Sequence, residues 1–215
     1  MVFHDNVLKE YLKNVFFITG TPCGGKTTVS RELAKRYGLL VYDVDDHFSS
    51  HQAISNPIFQ PAMNQSFPDA DAFFGRSVED YTQWLRDNSR EQLEFALLDL
   101  IRLSQNQIVL CDCHLTIADA EALTLPSRIA FLVQEPSHLL DDYCSRPDHQ
   151  AFCTYINSAS EPESAKATCN AALEKLNRQP YELIKSSSYF WIDRSEHCTI
   201  EETVKRVAEH FQLAG

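Results

Sequence analysis

The sequence predicts a three-layer α/β sandwich built on a five-stranded parallel sheet. Short apolar runs rich in β-branched and aromatic residues recur along the 215-residue chain, and segments with helical periodicity separate them. Strands that alternate with helices pair in parallel and carry helices on both faces of their sheet. The length and a hydrophobic content of 44% fit a single domain over residues 1–215 with its own core.

Five apolar runs are the predicted strands, and they cover residues 15–19, 39–42, 107–111, 128–133 and 189–193. Capping-box spacing marks two of the intervening helix starts, at Ser89 with Gln92 and at Thr199 with Glu202. Gly38 is placed to end the helix that follows the first strand. In a parallel sheet the carboxyl ends of the strands share one edge, and ligands bind there.

A glycine-rich segment directly follows the first strand. Residues 20–28, GTPCGGKTT, contain the pattern GxxxxGK[ST] in full. Small residues let backbone N–H groups point at phosphate oxygens, and the N-terminus of the next helix adds partial positive charge. Lys26 would reach the outer phosphates, and the Thr27 hydroxyl would bind Mg²⁺. The predicted nucleotide site consists of Gly20, Thr21, Pro22, Cys23, Gly24, Gly25, Lys26, Thr27 and Thr28.

Acidic residues follow the second and third strands. Asp43, Asp45 and Asp46 lie within VYDVDDHF, and Asp112 ends the third apolar run. At the shared edge of the sheet these carboxylates would face the phosphates. One would hold the water shell of Mg²⁺, and another would orient or deprotonate the hydroxyl that attacks the γ-phosphate. The alternative is a solvated acidic turn in which Asp46 caps a helix.

Two segments interrupt the alternation of strands and helices. Residues 49–88 carry three prolines and several phenylalanines before a helical pattern, which predicts an acceptor-binding wall rather than a linker. Arg76 is the candidate cation there for an anionic acceptor group, with a surface salt bridge as the alternative. Residues 137–160 predict a lid whose Arg146 brings positive charge over the phosphates. The alternative is a helix start with Asp148 as N-cap and Arg146 solvated.

Charge and cysteine content limit the partners. A formal net charge of −11 repels nucleic acid and anionic membranes, and no apolar run has the length of a transmembrane helix. We therefore expect a cytoplasmic protein, monomeric or homodimeric, with neither nucleic acid nor membrane as a partner. The seven cysteines are odd in number and form no CxxC pair, which predicts reduced thiols rather than a disulfide framework or a zinc site.

The chain resembles the P-loop small-molecule and nucleotide kinases, the group that includes adenylate, cytidylate, gluconate and shikimate kinase-like enzymes. GTPCGGKTT is similar to the GTPGxGKTT loop of the adenylate kinase-like branch, with Cys23 where glycine is usual. Asp43 and Asp45 are similar in place to the DxD of shikimate kinase-like enzymes. The resemblance implies that Asp43 helps to hold Mg²⁺ and that Asp45 contacts the acceptor hydroxyl. It also implies that Arg146 is the lid arginine and that Arg194 lies near adenine.

Departures from the family pattern leave the acceptor open. Residues 111–115, CDCHL, stand where shikimate kinases have a glycine triplet, and FGRSVE at residues 74–79 only approximates their FRxxE. No guanine-reading NKxD occurs in the chain. The acceptor is therefore not identified by the sequence.

These observations predict an ATP- and Mg²⁺-dependent kinase that transfers the γ-phosphate to a small metabolite or nucleotide. The alternative is a non-catalytic or slowly hydrolysing ATP-binding switch whose residues 49–88 contact a protein partner. In the kinase hypothesis the catalytic residues are Lys26, Asp45 and Arg146, the metal site contains Thr27, Asp43 and Asp112, and the acceptor contacts Asp45 and Arg76.

Overall fold

The computed structural model describes residues 4–137, 139–144, 150–196 and 198–213. A five-stranded sheet with all neighbouring strands parallel lies at its centre. The strands are β1 Val15–Thr19, β2 Leu40–Asp43, β3 Val109–Asp112, β4 Ile129–Val133 and β5 Trp191–Asp193, in the order β2-β3-β1-β4-β5. The predicted three-layer α/β P-loop fold is confirmed, and each strand end lies within two residues of its predicted position.

Helices cover both faces of the sheet. They are α1 Asp5–Tyr11, α2 Lys26–Tyr37, α3 Phe48–Ile54, α4 Ala70–Phe74, α5 Val78–Leu103, α6 Ile117–Leu123, α7 Leu139–Cys144, α8 Gln150–Asn157, α9 Pro162–Ser186 and α10 Ile200–His210. Alternate strand residues point to opposite faces, so β1 places Phe17 in one core with α5, α6 and α9. Its neighbour Ile18 packs in the other core with α2 and α10. No helix in the described part of the chain is long and apolar enough to cross a membrane.

One predicted helix start is wrong, and one is confirmed. Helix α5 runs unbroken through Ser89 and instead begins at Ser77, whose hydroxyl accepts the backbone N–H of Asp80 at 3.0 Å. No glycine or proline interrupts residues 78–103, so nothing stops the helix before the second capping signal. Gln92 is buried, and its amide donates to the Val44 carbonyl at 2.6 Å. The capping box of Thr199 and Glu202 is present at the start of α10.

The segment 49–88 builds a third apolar cluster outside the two sheet cores. Helix α4 and the first turns of α5 pack there against α8 and the first half of α9. Buried members of this cluster include Phe74, Tyr81, Ile156 and Cys169. The predicted acceptor-binding wall therefore has a core of its own, while α3 and α5 connect it to β2.

The prediction that all thiols are reduced is wrong for one pair. Cys144 at the end of α7 and Cys153 in α8 form a disulfide across 9 residues of sequence, with a Cα to Cα distance of 5.9 Å. The other five cysteines are not in disulfides. Sequence spacing alone does not show this pairing because the two helices fold back on one another between the cysteines.

Candidate nucleotide and acceptor site

The glycine-rich loop after β1 lies directly against the backbone of β4. A Cβ atom built on Gly20 would lie 2.0 Å from the Leu132 carbonyl oxygen, and one on Gly24 would lie 2.3 Å from it. Gly20 also has a φ of 126°, which disfavours residues with a side chain. The loop can therefore approach the strand this closely only with glycine at both positions.

A side chain fixes the other side of the loop. The Thr21 hydroxyl accepts the backbone N–H of Gln134 at 2.6 Å and donates to the Gln134 carbonyl at 3.1 Å. Thr21 is buried, so this pair of hydrogen bonds is shielded from water. The loop is thus held to the residue that follows β4 before any ligand binds.

Lys26 begins α2 at the end of the loop. Its Nζ donates to the Thr21 carbonyl at 3.1 Å, which keeps the ammonium folded over the loop. The N-cap is Gly25 with a φ of 91°, and no side chain in the described ranges caps this helix start. Backbone N–H groups of the first turn and the Lys26 ammonium therefore point toward the same space, as in an anion-binding helix N-terminus.

Cys23 has a left-handed backbone, with a φ of 60°, at the position where the related loops have glycine. Its side chain is 6% exposed, and its Sγ donates to the Leu139 carbonyl of α7 at 3.7 Å. Its own carbonyl accepts Nη1 of Arg194 at 2.7 Å. The loop is therefore connected to α7 on one side and to the end of β5 on the other.

A cavity of about 260 Å³ adjoins the loop where Arg194 was expected to lie near adenine. Its walls come from the loop and α2 on one side and from β5 and the start of α10 on the other. The lining residues are Gly24, Gly25, Thr28, Val29, Ile192, Arg194, Cys198, Ile200 and Thr203. Because Gly24, Gly25 and Thr28 at the start of α2 line it, this cavity is the candidate site for a nucleotide base.

Two carboxylates meet at the ends of β2 and β3. Asp43 and Asp112 are direct partners in the register of these parallel strands. Asp112 is 4% exposed, and its Oδ2 has no hydrogen-bond partner in the described residues. Burial raises its pKa, and the charge of Lys26 and a hydrogen bond from the Thr27 hydroxyl oppose that rise. A buried carboxylate oxygen without a partner is costly unless a ligand completes it.

The ionised form of Asp43 is destabilised by burial and by its neighbours. Burial and the negative charges of Asp112 and Asp45 together raise its pKa to about 6. The backbone N–H of Asp45 donates to Asp43 Oδ1 at 3.1 Å, which opposes the rise. Crowded acids of this kind favour a bound cation.

Asp45 is exposed in a short 3₁₀ turn over Asp45–His47. The turn is anchored because the Val44 N–H donates to the Asp112 carbonyl at 3.0 Å, while the Gln92 amide holds the Val44 carbonyl. The start of α3 has no side-chain cap, so the alternative in which Asp46 caps a helix is wrong. Asp45 is thus a solvent-facing carboxylate on a fixed backbone beside the buried Asp112 and the half-buried Asp43.

The donor set fits Mg²⁺ with water and phosphate completing its shell. Within the described ranges, no group of three or more His, Cys, Asp or Glu side chains is arranged to hold a metal ion. Mg²⁺ is commonly bound through one or two carboxylates together with substrate phosphates and several waters. The unpartnered oxygen of Asp112, the facing Asp43 and the Thr27 hydroxyl match that pattern.

Arg76 lies inside an aromatic cluster. Its guanidinium carbon lies 4.2 to 4.9 Å from the ring centroids of Phe67, Phe73, Tyr81 and Trp84. Its Nε–H donates to the Phe73 carbonyl at 2.8 Å, but both terminal nitrogens are buried without a partner in the described residues. The described residues also supply no carboxylate for the surface salt bridge considered as the alternative. The predicted acceptor contact of Arg76 stays a prediction.

The lid residues Arg146 and Asp148 lie outside the described residues, so their predicted roles are not tested by this structure. Of the lid segment 137–160, the structure describes α7 and α8, which flank them.

Two residues that sequence reasoning did not select lie near the same sheet edge. His114 lies two residues after Asp112, and a hydrogen bond connects it to the Gly20 backbone. Desolvation of the imidazole by the surrounding protein and the nearby Lys26 ammonium lower its pKa. Arg178 of α9 forms ion pairs with Glu135, which follows β4, and with Glu174. His114 could have been found from its place after β3, whereas no local pattern marks Arg178.

Arg178 also lines an open groove of about 490 Å³ along α9. The other lining residues are Ala171, Glu174, Lys175 and Gln179. Lys175 is paired with Glu79 at the start of α5, so the groove runs from the acceptor segment toward the end of β4. This groove is the candidate space for a second ligand.

The glycine-rich loop between β1 and α2 and the β2-β3-β1-β4-β5 order of an all-parallel sheet define the fold. It is a three-layer α/β fold with a P-loop sequence after its first strand, as the sequence predicts.

Comparisons with known proteins give matches among solved structures. No protein-family model matches the sequence, and no curated protein matches it. The chain is similar to the shikimate kinase from Acinetobacter baumannii in complex with shikimate, with 15% sequence identity and a TM-score of 0.48. The match covers 91% of this chain and 90% of that chain.

The packing of the loop on β4 predicts a large loss of stability for Gly24→Ala. The new Cβ would collide with the Leu132 carbonyl, so we expect the free energy of unfolding to fall by about 2–4 kcal/mol. Gly38→Ala is the control, since its φ of 64° is unfavourable for alanine but nothing lies within 4 Å, and it should cost about 1 kcal/mol. Urea unfolding measures both. Equal losses would contradict the close contact.

The raised pKa of Asp43 predicts a pH-dependent stability. Ionising this carboxyl costs more in the folded state than in the unfolded state, so the penalty is absent below about pH 4 and complete above pH 6. Without nucleotide and Mg²⁺, Asp43→Asn should therefore raise the free energy of unfolding at neutral pH by about 1–2 kcal/mol, a figure reduced for partial exposure. The gain should vanish in acid. Unfolding curves of both proteins across this pH range test the prediction. A difference in the free energy of unfolding that does not change with pH would contradict the raised pKa of Asp43.

Proposed function

We propose that this protein is an ATP- and Mg²⁺-dependent phosphotransferase that moves the γ-phosphate to a small hydroxyl- or phosphate-bearing metabolite. The observation that carries the proposal is the buried Asp112 carboxylate with an unpartnered oxygen, beside Asp43 and the Thr27 hydroxyl at the end of a glycine-rich phosphate loop. A site that binds only an anion has no use for buried carboxylates, whereas a site that binds a phosphate together with a cation needs them as ligands of the cation.

The loop supplies the nucleotide contacts. Backbone N–H groups of residues 20–27 and the start of α2 would hold the phosphates, and Lys26 would exchange the Thr21 carbonyl for phosphate oxygens. Arg194 is already fixed to the loop through the Cys23 carbonyl and borders the adjoining cavity. This arrangement supports a base beside Arg194 and a triphosphate along the loop.

The metal site would use Thr27, Asp112 and Asp43. Mg²⁺ held there neutralises charge on the transferred phosphate and satisfies the crowded acids. The three side chains come from α2, β3 and β2; the sheet register pairs Asp43 with Asp112, and α2 packs on these two strands. Their task is to position the cation.

Asp45 is the proposed acceptor contact and proton acceptor. Its side chain is exposed, and Gln92 fixes the backbone of its turn. A carboxylate that orients a hydroxyl toward the γ-phosphate needs this combination of access and fixed position.

The acceptor would lie between residues 49–88 and the groove along α9. Arg178 and Lys175 are the candidate cations for an anionic acceptor group, because both line the groove and their carboxylate partners are partly exposed. The terminal nitrogens of Arg76 are covered by four rings, so the cluster would have to open before Arg76 bound an anion. We assign charge stabilisation over the phosphates to Arg146, as the lid hypothesis requires.

A nucleotide-binding switch is the second candidate. One observation favours it, the exposure of Ile54, Ile58 and Phe59 at 74%, 82% and 73% on the acceptor segment. Neighbouring exposed apolar side chains are typical of surfaces that contact other proteins. A switch would bind ATP but would have no acceptor hydroxyl for the solvent-facing Asp45 to contact.

ATP turnover with and without candidate acceptors separates these functions. The panel contains nucleosides, nucleotides, sugar acids and aminoglycosides, and Lys26→Ala is the inactive control because it removes the cation on the β- and γ-phosphates. Stimulation of turnover by one class, lost in Lys26→Ala, supports the kinase. ATP binding without stimulation by any class favours the switch, and unchanged turnover in Lys26→Ala excludes the loop as the site.

The different environments of the acids predict different defects. Asp45→Asn should lower kcat by roughly 10²–10⁴ and leave ATP affinity unchanged, since the loss is in proton transfer. Asp43→Asn should raise the Mg²⁺ concentration needed for ATP use and be partly rescued by excess Mg²⁺. Asp46→Asn is the matched control, an exposed acid of the same turn that should keep wild-type kinetics. Identical kinetics in all three variants would contradict the assigned roles.

A further inference from the structure

The Cys144–Cys153 disulfide joins α7 to α8. Helix α7 also contacts the glycine-rich loop, and α8 also contacts the acceptor segment. Both sulfur-bearing residues are partly exposed, whereas Cys23, Cys111, Cys113 and Cys169 are buried. A pair that solvent reaches is open to thiol–disulfide exchange, which buried thiols resist.

Helix α7 connects the bridge to the phosphate loop. Leu139, its first residue, is 1% exposed, and its carbonyl accepts the thiol of Cys23 from the middle of the loop. Cys144 lies at the other end of this short helix. A change in the position of α7 would therefore alter the contact between the Leu139 carbonyl and Cys23, and with it the position of the loop.

Helix α8 connects the bridge to the acceptor segment. Phe152 is next to Cys153, and its ring centroid lies 6.1 Å from the ring centroid of Phe74 in α4. The ring centroid of Tyr155 lies 5.6 Å from that of Phe74. Ile156 is buried in the same cluster. Movement of α8 would disturb α4 and the aromatic rings around it.

We infer that Cys144 and Cys153 form a reversible redox site that couples the phosphate loop to the acceptor segment. Oxidation by a small disulfide such as glutathione disulfide proceeds through a mixed disulfide, forms the protein S–S bond and releases two small thiols with both protons. The bridged form holds α7 and α8 together and thereby orders both sides of the site. The consequence for ATP rests on the proposed function.

A loop ordered before binding loses less conformational entropy when the nucleotide arrives. The bridged protein should therefore bind ATP–Mg²⁺ about 3- to 10-fold more tightly than the reduced protein. Cys144→Ser and Cys153→Ser should each bind like the reduced protein under both conditions. Cys169→Ser, which removes a buried thiol outside the bridge, should keep the redox response.

The coupling is tested first without nucleotide. The full chain is treated with glutathione disulfide or with dithiothreitol, the bridge is identified by peptide mass spectrometry, and amide hydrogen exchange is compared. We expect slower exchange in the oxidised protein at residues 20–25 and also at residues 70–74, and no such change in Cys144→Ser. Failure to form the bridge, or slowing confined to residues next to the two cysteines, would overturn the inference.

ATP–Mg²⁺ titrations of the same samples then separate this inference from the proposed function. Tighter binding by the oxidised form supports both. Equal affinity in the two forms refutes redox control while leaving the nucleotide site intact. If neither form binds ATP, the proposed function fails, and the exchange data alone decide whether the bridge couples the loop to the acceptor segment.

Discussion

The close approach of the phosphate loop to β4 is the constraint on which the site depends. Gly20 and Gly24 lie against the Leu132 carbonyl at distances that no side chain allows, and Thr21 holds the residue after the strand with two hydrogen bonds. This contact sets where α2 begins, and so where its unpaired N–H groups and Lys26 point. The geometry of the candidate phosphate site is thus a consequence of backbone packing.

The parallel sheet also brings several acidic side chains close together. The register of β2 and β3 puts Asp43 opposite Asp112, and the following turn adds Asp45 nearby. Burial and mutual repulsion raise the pKa of Asp43, and one oxygen of Asp112 has no partner in the described residues. A cation bound there, as proposed, would relieve these costs and attract phosphate. The strain in the protein alone and the proposed chemistry therefore have one origin.

Local patterns in the sequence predicted the features that are determined locally. The strands and the helix start at Thr199 depend on neighbouring residues, and both are present, with the glycine-rich segment as the connection between β1 and α2. Ser89 and Gln92 show the limit of local reasoning. Their spacing is that of a helix start, but α5 continues through them, and the Gln92 side chain instead donates a hydrogen bond to the Val44 carbonyl.

Packing between segments decided what the sequence could not show. The four rings around Arg76 come from nearby positions, residues 67–84, but only the fold brings them over its guanidinium, so its charge and position gave no sign that its terminal nitrogens are buried. The approach of α8 to α7 likewise created a disulfide that cysteine spacing did not indicate. Arg178 became a candidate only when α9 brought it to Glu135.

A crystal structure with Mg²⁺ and a non-hydrolysable ATP analogue tests the central claim most directly. The account predicts a triphosphate along the backbone of residues 20–27, with Lys26 Nζ moved from the Thr21 carbonyl to phosphate oxygens and the metal between Thr27 and Asp112. It also predicts that the contact of Gly24 with Leu132 is unchanged, because the loop is formed before binding. A loop without phosphate, with Lys26 still on Thr21 and the analogue bound elsewhere, would contradict it.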